Sequence, residues 1–105
     1  MSNTADKIRK QIADNPIILY MKGTPEAPSC GFSAKAAAVM KSTGFGFAYV
    51  NVLESPFIME ALPTVTDFPT FPQLIVKGDI IGGSDIVEEM LASGELIPIL
   101  EAAVS

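Results

Sequence analysis

Ile17-Ile18-Leu19-Tyr20-Met21-Lys22 runs through Gly23-Thr24-Pro25-Glu26-Ala27-Pro28-Ser29 into Cys30-Gly31-Phe32-Ser33, and an alanine-rich stretch follows. The residues from Ile17 to Met21 form a short continuous apolar run, the pattern of a strand buried on both faces. Two prolines mark the middle of the stretch as a loop. From Gly31 or Phe32 to about Thr43 the alanines, Val39 and Met40 predict a helix, and Gly44 is placed to stop it. Cys30 therefore stands at the mouth of a helix, shortly after a central strand. It is the only cysteine, and the chain has no histidine. It can close no disulfide within its own chain, nor build the usual Cys/His metal site. Whatever this thiol does requires sulfur from elsewhere.

Working outward, Thr4 is expected to cap a first helix with Ile8 and Ile12 on its buried face, ended by Asn15-Pro16. Ala48 to Val52 reads as a second strand. Ser55-Pro56 reads as an N-cap followed by proline at the first helical position, opening a helix that is short or kinked at Pro63. Gln73 to Lys77 is a third strand, and Gly78-Asp79 is expected to turn it into Ile80-Ile81. Gly82-Gly83 breaks that edge strand. Ser84-Asp85 opens another helix, with Glu88 as capping partner, and Ser93-Gly94 closes it. A last amphipathic helix carries Leu96, Ile99, Leu100 and Ala103. The order is α-β-α-β-α-β-β-α-α. A right-handed β-α-β crossover gives a parallel pair and the hairpin an antiparallel one. Joined, they predict an α/β, thioredoxin-like fold: one four-stranded mixed sheet with helices on both faces.

The chain has 105 residues, which suits a single domain spanning 1–105 with a modest core. Charged residues are only 18% of the sequence, the net charge is −5, and the few lysines do not cluster. Nucleic acid and anionic membranes both reward basic stripes, so neither is expected as a partner. The apolar runs are too short to span a bilayer. A single cysteine without a disulfide framework fits a reducing compartment. The start of the sequence has no apolar signal region. The expectation is a cytoplasmic protein, or a mitochondrial matrix or plastid one if a transit segment was removed.

Free backbone N–H groups at a helix start favour a thiolate, so the Cys30 pKa should be lowered. Lys22 adds a positive charge if the loop folds back, and Ser33 offers a hydroxyl in the first helical turn. Thr70-Phe71-Pro72 enters the third strand; a cis bond before Pro72 would leave the Phe71 N–H and C=O free to bind an extended peptide. Gly82-Gly83-Ser84-Asp85 makes an anion-accepting nest on backbone N–H groups. Together these elements describe a groove. Lys22 lies at one end, the Phe71 backbone in the middle, and the nest with the Asp85 carboxylate at the other end. A small tripeptide with a carboxylate at each end and a central thiol matches it, and glutathione is such a molecule.

Lys22, Cys30-Gly31-Phe32-Ser33, Thr70-Phe71-Pro72 and Gly82-Gly83-x-Asp85-Ile86 resemble the monothiol glutaredoxins of the CGFS type, in the same order over essentially the whole chain. The resemblance implies a thioredoxin fold with Pro72 in cis. It implies glutathione held by Lys22, the Phe71 backbone, and Ser84 with Asp85. In that family two subunits and two glutathiones share a 2Fe–2S cluster, which here makes Cys30 the metal ligand as well as the catalytic thiol. The arithmetic agrees: such a cluster wants four thiolates, and two Cys30 residues with two glutathiones supply them. Proteins of this kind carry clusters to iron–sulfur acceptor proteins, work with BolA-like partners, and form homodimers when loaded; the apo chain is expected to be monomeric.

Two positions depart from the family pattern. Met59 stands where an arginine usually helps to bind the glycine carboxylate of glutathione, and Ser84 stands where many members carry a cysteine. Three functions compete: a cluster carrier, a glutathione-dependent monothiol thiol–disulfide oxidoreductase, and an interaction module with an inert thiol. The missing second cysteine closes the dithiol route, the missing histidine excludes a Cys–His nucleophile, and the CGFS likeness favours the carrier.

Overall fold

A computed structural model describes residues 3–105. The expected element order is present among them. Helix α1 (Thr4–Asp14) precedes strand β1 (Ile17–Met21), and α2 (Gly31–Thr43) leads to β2 (Ala48–Asn51). A short 3-10 turn (Val52–Glu54) joins β2 to α3 (Pro56–Thr66). The hairpin β3 (Gln73–Val76) and β4 (Asp79–Gly82) is followed by α4 (Ser84–Ser93) and α5 (Leu96–Val104). The strands form one sheet in the order β2-β1-β3-β4. β1 runs parallel to β2 and antiparallel to β3, and β3 is antiparallel to β4. This is the thioredoxin-like fold.

The uninterrupted apolar run of β1 follows from its central place. Successive side chains of a strand point to opposite faces. Ile17, Leu19 and Met21 enter one core with Met40 of α2, Val87 of α4 and Leu96 and Leu100 of α5. Ile18 and Tyr20 enter the other, with Ile8 of α1 and Ile58 and Leu62 of α3. The phenol of Tyr20 donates to Gln11 Oε1 at 2.8 Å, which satisfies its polar end, and burial pushes its pKa upward.

Four local expectations need correction. The cap of α1 is Asn3, not Thr4: its side chain accepts the Asp6 N–H at 2.9 Å. Helix α3 is not cut short at Pro63 but continues to Thr66. Proline removes one N–H from the ladder, while burial of Ile58 and Leu62 keeps the helix seated on the sheet. The hairpin turn is Lys77-Gly78, with Asp79 already paired opposite Val76. Both turn residues have positive φ, 52° and 84°, as a two-residue turn of matching twist demands. Finally, Glu88 does not cap α4; the N-cap, Gly83, has no side-chain bond, and Glu88 reaches α2 instead.

Lysine is poorly suited to positive φ, whereas asparagine tolerates it. Lys77→Asn should therefore stabilise the protein by about 0.5 kcal/mol, read as a higher midpoint in urea unfolding with unchanged slope. A lower midpoint would argue against this turn.

Candidate functional site

The loop after β1 folds back on itself. Ser29 N–H donates to the Lys22 carbonyl at 2.9 Å, and Gly23 bridges Pro28. Gly23 has φ of 92°, and a Cβ there would lie 2.6 Å from both the Ala27 oxygen and the Ser29 nitrogen, so only glycine fits. Its N–H donates to Asn51 Oδ1 at 2.9 Å, which fastens the loop to the end of β2. Lys41 of α2 holds the other side, donating to the Pro25 carbonyl at 2.7 Å. The effect is to return the chain to the end of β1 just where α2 begins.

Cys30 is the N-cap of α2 and is partly exposed. Its Sγ accepts the Ser33 N–H at 3.3 Å, the position that a side-chain oxygen usually takes in a capped helix. Ser33 itself is fully buried, and its Oγ accepts the Lys22 N–H at 2.9 Å. The same hydroxyl also favours the ionised sulfur. Burial alone raises the Cys30 pKa, but the Ser33 hydroxyl, the Ser33 and Phe32 N–H groups and the Lys22 charge outweigh it. The thiol is held below its ordinary value, toward the thiolate.

An open cleft of about 680 Å³ begins at Phe32, two residues after Cys30; Cys30 itself is not among its lining residues. Lys22, Phe71, Ser84 and Asp85, each singled out from the sequence, all line it. The Phe71–Pro72 bond is cis, as the resemblance implies. The loop before it is tied down by Gln73, whose buried side-chain amide donates to the carbonyls of Phe68 and Thr70 at 3.1 and 3.0 Å. Gly83 brings α4 close to that loop: a Cβ there would sit 3.3 Å from the Pro72 oxygen. Met59 also lines the cleft, so the place of the family arginine is apolar. Among the described residues no carboxylate pairs with Lys22.

Sequence reasoning assigned no role to Phe32, Ile86 or Lys35. Phe32 shares a helical spacing with Ala36 and Met40, which are buried, so spacing alone gives no sign of a cleft residue. Yet it is 63% exposed and lines the cleft with Ile86. Lys35 of α2 pairs with Asp85 and Glu88 of α4 at 2.8 and 3.1 Å. Partners fifty residues apart leave no local signal in the sequence.

The glutaredoxin family model matches residues 17–81. The chain is 55% identical to glutaredoxin 4 of Escherichia coli (strain K12) over 96 residues, which cover 91% of this chain and 84% of that protein. Among solved structures it is similar to reduced apo GrxS14 of poplar, with 38% identity, a TM-score of 0.81, and 93% and 90% of the two chains covered. A buckwheat glutaredoxin–glutathione complex has the same fold, with 23% identity, a TM-score of 0.83, and 95% and 89% covered.

Ser33→Ala removes a donor to the sulfur, so the Cys30 pKa should rise. Alkylation rate follows the thiolate fraction, and its pH profile should shift to higher pH than in the wild type. An unshifted profile would show that the hydroxyl does not act on the thiol.

Proposed function

The chain belongs to the glutaredoxin family as a monothiol member, and from that premise we propose that it binds glutathione and carries 2Fe–2S clusters to acceptor proteins. The observation supporting this reading is one partly exposed thiol, held toward the thiolate, two residues before Phe32, which lines a cleft together with Lys22, Phe71, Ser84 and Asp85. In this reading residues 1–105 act as one domain in the cytoplasm. Lys22 receives the glycine carboxylate of glutathione, the Phe71 backbone pairs with its peptide groups, and the α4 start with Asp85 takes the γ-glutamyl head. The ligand's own thiol then lies next to Cys30.

The cluster is cargo, and the donors suit it. Among the described residues no group of three or more His, Cys, Asp or Glu side chains is placed to hold a metal ion. Each subunit offers Cys30 and a bound glutathione thiol, so two subunits supply the four thiolates that the cluster needs. The homodimer is thus assembled by its cargo. A BolA-like protein replaces one subunit in the heterodimeric form. The lack of a second cysteine means that a released Cys30 cannot be trapped in an internal disulfide.

The lowered thiol pKa also favours a second reading, protein deglutathionylation. The Cys30 thiolate attacks the glutathione sulfur of a protein–glutathione mixed disulfide. A new Cys30–glutathione disulfide forms, and the protein thiolate leaves and takes up a proton. A second glutathione thiolate then attacks that disulfide on its glutathione sulfur, yielding glutathione disulfide and free Cys30.

Anaerobic reconstitution with iron, sulfide and glutathione should give a visible chromophore together with a shift in mass to a dimer. Cys30→Ser should lose both, and cluster retention in that variant would contradict the ligand assignment. Absence of a chromophore with brisk turnover of a glutathione mixed disulfide would instead establish the second reading. Met59→Arg should restore a charge-assisted contact and tighten glutathione binding about tenfold by calorimetry. Unchanged affinity would show that the apolar side chain at this position is no handicap.

A further inference from the structure

We propose that Lys35 is a positioning residue, fixing the Asp85 carboxylate to receive the ammonium of the ligand's amino-acid head. This rests on the reading of the cleft as a glutathione site. Lys35 lies on α2 shortly after Cys30, and α2 packs against α4. Its Nζ lies 2.8 Å from Asp85 Oδ1 and 3.1 Å from Glu88 Oε1. The contact therefore links the helix that carries the thiol to the helix that closes the far end of the cleft.

Three features give this contact a role in binding. Asp85 and Glu88 are three residues apart on one helix, where like charges repel. The cation between them cancels that repulsion and holds Asp85, whose side chain is 75% exposed, in one orientation. Second, Lys35 takes only Oδ1 of Asp85. A carboxylate has two oxygens and about four acceptor sites, so Oδ2 stays open to a second donor. Third, Lys35 is not among the residues lining the cleft, whereas Asp85 is, so Lys35 acts on a ligand there through Asp85. Hydrogen bonds from Lys35 to both carboxylates push its own pKa upward, so it stays charged in neutral solution. The ion pairs are exposed, so removing them should leave stability almost unchanged.

The test compares glutathione with glutaryl-cysteinylglycine, the same tripeptide lacking the α-ammonium, by calorimetry on the full chain. Lys35→Met should weaken glutathione binding about threefold, the size expected from losing an exposed charge contact. It should leave the affinity for the analogue unchanged, and Lys35→Arg should restore glutathione binding. In an Asp85→Asn background, Lys35→Met should have no further effect. Equal loss with both ligands, no loss with glutathione, or a loss that persists in Asp85→Asn would overturn the positioning role. A wild-type protein that binds both ligands equally would overturn the head-group site itself, and with it the role of Lys35.

Discussion

The hydroxyl of Ser33 joins the end of β1 to the start of α2. It is buried, accepts the Lys22 N–H, and stands in the first turn of α2, where the Ser33 N–H donates to the Cys30 sulfur. A hydroxyl can serve two partners at once because it both accepts and donates. The bond to Lys22 fixes where the strand ends, and the turn it belongs to fixes where the sulfur lies. The intervening loop depends on the same junction, since it can close only if its two ends stay together. The Gly23 backbone and the Asn51 side chain fasten it from the sheet side.

Charge is scarce in this protein and its placement matters accordingly. The chain is acidic overall, yet the Ser33 hydroxyl, the Ser33 and Phe32 N–H groups and, as the smallest contribution, the Lys22 charge together hold the thiol below its ordinary value. At the other end of the cleft Lys35 partly neutralises Asp85 and Glu88. Between these ends the lining is largely apolar, with Phe32, Met59, Pro63 and Ile86 among its residues. An apolar wall excludes water and strengthens the few polar contacts made across it. A small ligand with charged ends and a neutral middle suits such a cleft better than a uniformly charged one.

Much of the fold was legible because the signals were local. The run Ile17 to Met21 is apolar at every position, which only a strand covered on both sides requires, and the observed strand has those bounds. Gly44 and Gly94 follow the helices they end, each in the left-handed conformation. Local signals failed where two neighbouring residues suited the same job. Asn3 and Thr4 can both cap, and Gly78 can turn with the residue on either side. Pro63 does not stop α3 for a different reason: a proline's penalty is local, whereas the burial that offsets it comes from the sheet beneath.

The sequence by itself determined the chemistry available here. It has one thiol, no second cysteine to resolve it and no histidine to act as a base, so any partner sulfur must come from another molecule. It also determined the order of strands and helices, because hydrophobic period and chain punctuation act within a few residues. Only the tertiary structure decided that Phe32, Met59 and Ile86 join that groove and that Lys35 reaches Asp85. Lys22, Phe71 and Asp85 meet because the sheet places the end of β1, the entry to β3 and the start of α4 along one edge of the molecule. Lys35 meets Asp85 because α2 and α4 pack on the same face. Electrostatic contacts act through space, so their partners are fixed by packing and not by sequence distance.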